Sequence, residues 1–550
     1  MSNKILKESW LWSSIGLLLL AAPAFLLADG CGSPTAAAGA ASQDSGAMFN
    51  DAKGNNGTAQ SEDTGANADQ GSPGVDLPKE QEKHYDFGAP EGSPNFVYIP
   101  AAGTDNIVKV SGATLKVTLI EVGDHPTRLK VVPGQDAAVV LNSGSDDLSV
   151  VRSTDSSDTV DTVAMLPHCN ALTIDPSGKF AVAYFDLLSA QPTDPTGNFQ
   201  AVTLVKLDVP PQSMTISIGF RPRSVDFTPD GKKALIVTDD GISVLELSTI
   251  KDGDIVVPVP ISLDPLDKPQ DRAVRVTADA RWALIRASNI VGLYAVHLAT
   301  KKLVVIPMTS VPTDLDLTPD GTQAIAVLRD SKEVAIVQLP SEVTNSLAAE
   351  IISVGSLTAG LALITDDSQT AVLYTSVQGI EQVATLDLKT HVVAPVLLRK
   401  TVDFIVIPPG SRKAILVHKP APGPNNKYAE EAFVDKSEGY TLFDLDNGFT
   451  KLVLTATKLS EIAHSESPSK SWILLPDPAG LTHNVQEIEH KTFLTLDHAI
   501  GSSPEHVRFL KKASTMAVTQ THPSGRITFF GTNGGAAKTV TGYELNGLVK

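Results

Sequence analysis

Cysteine is scarce: the 550-residue chain has two, Cys31 and Cys169, so at most one bridge can form. Aromatic residues make up only 5% of it, and the hydrophobic share of 42% suits small, β-branched cores. Positive charge is short as well. Lys and Arg number 44 against 62 Asp and Glu, a formal charge of −18. A nucleic-acid binder needs a basic face that releases counterions from phosphates, so no nucleic acid is expected as a partner. The common catalytic signatures are missing too. There is no GxSxG elbow, HExxH pair, P-loop or CxxC, which leaves hydrolase, zinc and nucleotide readings without a motif. Acidic pairs recur at Asp146 and Asp147, Asp239 and Asp240, and Asp366 and Asp367, but none has the D-x-D-x-D-G spacing that calcium wants. Turn formation accounts for them. No cofactor and no metal are expected.

What the chain does have is repetition. From Arg223 to Leu247 it reads RSVDFTPDGKKALIVTDDGISVLEL. Val225 and Phe227 alternate with Ser224, Asp226 and Thr228, the period of two of a strand with one buried face. The TPDG at 228–231 turns the chain, since proline presets φ and glycine accepts φ above zero. A nearly all-apolar second strand and a third follow, an antiparallel meander. Related units begin at Arg128, Ala171, Ala273, Asp314 and Leu361, with weaker copies at Phe404, Ile462 and Val507. From Val132 to Leu510 eight intervals span 378 residues, about 47 each, a period that belongs to four-stranded propeller blades. The fold class expected over 95–550 is all-β: a β-propeller of four-stranded antiparallel blades, eight to ten in one ring, with two packed propellers as the alternative. The unit from Asn95 lacks a clear first strand, so closure is expected through strands shared with the last unit, Val507 to Leu545.

These units resemble the bacterial YVTN-type β-propeller repeat, which runs VG-x-x-P, a short apolar strand, SPDG-[KR] and then YVTN. Val122, Gly123 and Pro126 stand for the first part, and Pro229, Asp230, Gly231 and Lys232 for the turn. The resemblance implies the fold. It is nearly silent on activity, because the family includes surface-layer proteins, lactonase-like enzymes and uncharacterised lipoproteins.

Residues 1–30 carry Lys4 and Lys7 and then an apolar run from Trp10 to Ala28, the n- and h-regions of a secretory signal. An uncleaved membrane anchor is the other reading of this run. LLADGCGSP resembles the bacterial lipoprotein cleavage box ending at Cys31, although Ala28 and Asp29 depart from the usual pattern. The resemblance implies a diacylglyceryl thioether on Cys31, and Gly32 after it an outer-membrane or cell-surface location. A periplasmic or inner-membrane-anchored protein is the alternative. With Cys31 lipidated, Cys169 is unpaired and reads as a buried structural thiol; a Cys31–Cys169 bridge is the competing account. Residues 31–94 are mostly Gly, Ala, Ser, Asp, Asn and Gln, too polar to offset ordering entropy, and read as a disordered tether.

Strand direction alternates, so links between second and third strands must emerge on the same face as links between blades. Two long insertions, 188–198 and 419–439, lie in such links. Tyr428 and Phe433 in the second are the candidate contacts for a protein, glycan or small ligand. Before the repeat's proline position stand His125 and His168, two histidines among nine, too few for a metal ring. The first reading is thus an exported, lipid-anchored binding or scaffolding module. The second is a lactonase-like hydrolase or isomerase with a site at the channel mouth, for which the candidates are His125, Arg221, Arg223, Arg272, Asp314 and His506.

Overall fold

The computed structural model describes residues 86–261, 272–340, 347–466, 469–477, 480 and 483–543. The signal segment, Cys31 and all but the last part of the tether lie outside the described residues. Ten antiparallel sheets follow one another along the chain, at 91–121, 126–164, 171–217, 222–246, 272–307, 314–353, 361–397, 402–455, 462–499 and 504–541. We call them blades 1 to 10. Nine have four strands in sequence order. Blade 4 has three, and a single bridge between Ile242 and Val259 marks its fourth position.

Blade 4 shows how the sequence makes the sheet. Its first strand, Pro222–Phe227, ends at Thr228, whose hydroxyl donates to Asp230 (2.7 Å) and accepts from the Lys233 amide (3.1 Å). Gly231 sits at φ +65°, where a side chain would be strained, and its amide closes the turn on the Thr228 carbonyl at 2.8 Å. The same threonine-to-aspartate bond recurs from Thr277 to Asp279 (2.8 Å) and from Thr318 to Asp320 (2.6 Å). Thr365 makes the same bond to Asp367 in blade 7, so one local device turns four successive blades.

Second strands read as unbroken apolar runs because both of their faces are covered. Along Gln323–Leu328, Ala324, Ala326 and Leu328 pack toward blade 5, while Ile325 and Val327 pack toward blade 7. Ten apolar clusters result, each shared by two neighbouring blades. The cluster that joins Val97, Ile99 and Val108 to Leu510, Ala517 and Ile527 links blade 10 to blade 1, so the architecture is one ring. Trp282 and Trp472 are core residues, each 1% exposed.

Closure departs from expectation. The first unit has its own first strand, the two residues Glu91–Gly92, and blade 10 keeps four strands of its own from Pro504 to Thr541. Among the described residues no strand is exchanged. Two residues carry too little periodicity to be read as a strand, which hid it. The ends meet through side chains and loops instead: Arg508 Nε donates to the Pro90 carbonyl (2.8 Å), and the Lys512 amide to that of Pro94 (2.9 Å).

Candidate functional site

Links between second and third strands do share a face with the connections between blades. In blade 3 the longer link ends at Phe199 and Gln200, whose carbonyls accept from the Arg221 and Ile218 amides in the connection to blade 4 (2.7 and 2.9 Å). Rings step outward along this link, Phe185 to Phe199 to Phe220, with centroids 5.7 Å apart at each step. The Arg221 guanidinium lies 5.4 Å from the Phe220 ring.

Three of the six channel-mouth candidates gather around one residue, Asp239. Asp239, whose side chain is 8% exposed, accepts from Arg221 Nε and Nη2 and from Arg223 Nε, the last at 2.7 Å. Arg272 Nη2 donates to the Asp239 carbonyl at 2.9 Å. Asp239 is therefore more than a turn residue. Asp314 stands apart on the first strand of blade 6, where its carboxylate accepts from the Leu315 and Ala362 amides, each at 2.9 Å. Burial pushes its pKa up even so, against the pull of those amides and of Arg275 and Arg286. His125 is exposed, with its amide held by Asp105 of blade 1 (2.8 Å). His506 Nδ1 lies 3.4 Å from Glu461, which also holds Arg508. The six thus occupy four neighbourhoods, each engaged with its own partners.

Sequence reading passed over the inner ionic row. Asp226, Arg275 and Asp316 lie on the first strands of blades 4, 5 and 6, and Arg275 Nε donates to Asp316 at 3.0 Å. Burial pushes Asp226 up to about 6, and Arg275 opposes the rise. Cys169, 3% exposed, is an unbonded thiol among Leu141, Leu172 and Ala181, pushed up to about 12 by burial and then by Asp146. A thiolate nucleophile is disfavoured there. His168 beside it donates its amide to Asp146 (2.8 Å). Among the described residues, no three His, Cys, Asp or Glu side chains gather as a metal group would require.

The second insertion builds a groove. Residues 419–437 of blade 8 fold across the fourth strand of blade 7, Val393–Leu397, through a 3-10 turn at Ala429–Glu431 and a short helix at Ala432–Lys436. Asn425 ties it down, its side chain donating to the Glu381 and Leu398 carbonyls (3.2 and 2.8 Å) and its amide to Glu381 Oε2 (2.7 Å). Lys400, fully buried, donates to the Val434 carbonyl at 2.5 Å. Two cavities share Leu397 and Asn425: one of ≈ 480 Å³ lined by Arg399, Lys427, Tyr428 and Leu452, and one of ≈ 300 Å³ lined by Thr358, Glu381 and Pro424. Tyr428 and Phe433 are 66% and 59% exposed. Tyr428 lines the larger cavity; Phe433 lies on the helix beside it.

No family model matches the chain, and no curated protein does. Solved structures resemble it at low identity. The dihydro-heme d1 dehydrogenase NirN, in complex with DHE, is 12% identical with a TM-score of 0.39 over 67% of this chain and 74% of its own. The Cps50 (Swd1) β-propeller domain of Myceliophteria thermophila is 11% identical with a TM-score of 0.31 over 56% and 94%. The ring of ten sheets closed between blades 10 and 1 by itself makes the chain a β-propeller.

Proposed function

We propose that this chain is an exported, lipid-anchored binding or scaffolding propeller that receives its partner in the groove between blades 7 and 8. The repeat resemblance and the lipoprotein-like box at Cys31 support the export and the anchor. The observation that carries the binding reading is the folded insertion itself. An insertion that merely lengthened a loop would not be pinned by Asn425, Lys400 and Arg399 into the wall of a cavity with Tyr428 exposed at its edge. An aromatic ring offers contact area at little conformational cost, and Lys427 beside it has no hydrogen-bond or ion-pair partner among the described residues. Proteins, glycans and small polar ligands all use such a surface. A catalytic reading would require the six channel-mouth residues to converge, and their contacts hold them in separate places.

One cell experiment tests both halves. A photo-cross-linking amino acid at position 428 should give a discrete adduct in the membrane fraction. The same probe at 322, on the opposite end of blade 6, should give none. The Cys31→Ser chain should move to the soluble fraction. Equal adducts at both positions would remove the groove reading, and membrane retention of Cys31→Ser would remove the lipid anchor.

A further inference from the structure

Hydrogen bonding in the blade 7–8 groove is one-sided. His418 Nδ1 faces the Thr401 carbonyl (3.1 Å), which can only accept, so that nitrogen carries the proton and Nε2 is bare. The Thr441 hydroxyl, 2.7 Å from Nε2, must then donate to it. Thr441 lines the larger cavity, and its oxygen has only lone pairs left for a ligand. Asn425, shared by both cavities, is in the same condition: its two side-chain N–H groups go to the Glu381 and Leu398 carbonyls, which leaves Oδ1 as an acceptor. Glu381, 2% exposed in the wall of the smaller cavity, takes the Asn425 amide at Oε2 and has no donor at Oε1. Three fixed side chains thus hold acceptors that no protein group fills.

An occupant of this groove must bring the donors. Hydroxyl-rich molecules and polyamines both do. The rim decides between them: Lys427 and Arg399 stand in the same cavity, repelling a polycation and drawing an anionic group. Tyr428 beside them offers an exposed ring on which the apolar face of a sugar can lie. A peptide added as a strand is disfavoured. Val393–Leu397 is the outer strand of blade 7, and Pro395 in its middle has no N–H to pair with one.

We propose, on the reading that the groove is the binding surface, that its occupant is an acidic oligosaccharide. Sugar hydroxyls donate to Thr441 and Asn425, one ring lies on Tyr428, and a carboxylate or sulfate group sits at Lys427.

The test applies the full chain to an array of neutral, uronate-bearing and sulfated oligosaccharides, with spermine and an acidic decapeptide spotted beside them. The best binder is then titrated in solution by calorimetry. Acidic saccharides should hold the chain above their neutral counterparts. Tyr428→Ala, at the exposed rim, should weaken the affinity by about tenfold or more. Thr441→Val, which keeps the shape and loses the hydroxyl, should weaken it as well. Lys427→Met should bring acidic and neutral saccharides level. Leu188→Ala, exposed on the other insertion, should titrate like the parent chain. If Thr441→Val fails to fold, Tyr428→Ala and Lys427→Met still decide. A blank array, an unchanged affinity in Tyr428→Ala, or capture by spermine or the peptide in place of saccharides overturns the proposal. A discrete cross-link from position 428 together with a blank array would remove the saccharide and keep the groove; no cross-link would remove the groove itself.

Discussion

Asp226 is where one residue's environment sets a measurable property of the whole chain. Its carboxyl is pushed up to about 6 by burial, with Arg275 as the opposing charge. A raised pKa means that the folded state prefers the protonated acid. The stability this confers is complete below the unfolded value near 4 and is lost as pH rises through about 6. The loss should be at most about 3 kcal/mol, from roughly two units at 1.36 kcal/mol each. Urea unfolding at pH 5 and pH 8 should show the parent losing roughly 1 kcal/mol relative to Asp226→Asn on going to pH 8, since the buried histidines act equally on both chains; a parent–variant difference that does not change with pH would remove this account. Sequence made Asp226 visible only as the polar half of an alternating strand. Whether such a residue meets solvent or a neighbouring arginine depends on how blades 4 and 5 sit together, which lies about 50 residues away along the chain. Asp239 was hidden for a similar reason: its turn was legible, but not the two arginines at the start of the blade that reach it.

Elements were more legible than contacts. The TPDG turns and apolar second strands located the blades because both features are local, and the two long links fell on the expected face because strand direction leaves no other choice. What escaped was irregular: the two-residue strand at Glu91–Gly92 and the reduced fourth strand of blade 4. Blade 9 carries a polar element that no pattern announces. Ser471 joins His464 Nδ1 (2.8 Å) to His490 Nε2 (2.6 Å), and Ser469 holds His490 Nδ1 (2.8 Å). Burial pulls His490 down to about 4 and His464 to about 3, the latter with help from His490. Both are folded as neutral rings. Their contribution is present above the unfolded value of about 6.5 and is lost as pH falls toward 4 and 3. His490→Gln, which keeps donor and acceptor but cannot titrate, should flatten the fall in unfolding midpoint between pH 6.5 and pH 4. A parallel fall in the variant would show that these rings do not drive acid loss.

At the scale of the whole ring, closure without strand exchange has a consequence for connectivity. Each blade is built from one contiguous stretch of chain, so no sheet depends on where the chain starts. The two ends of the ring already adjoin: the Phe87 ring lies 5.3 Å from that of Tyr543. The seam between blades 10 and 1 is an apolar cluster like the nine others, with Leu510 fully buried at its centre and Arg508 reaching the Pro90 carbonyl across it. A permutant that joins residue 543 to residue 86 through a short glycine-rich linker, and opens instead between Ser310 and Thr313, should keep all ten blades. Opening there cuts a connection and no strand, since blade 5 ends at Pro307 and blade 6 begins at Asp314. Its circular dichroism should match that of the 86–543 parent. Its thermal midpoint should lie within a few degrees, because every interface is retained and loop entropy changes only slowly with length. If strands were shared across the seam, the tethered ends would have to sit within one sheet, and a linker at that point would disrupt it. An insoluble or markedly destabilised permutant would therefore count against a ring closed at its seam without shared strands.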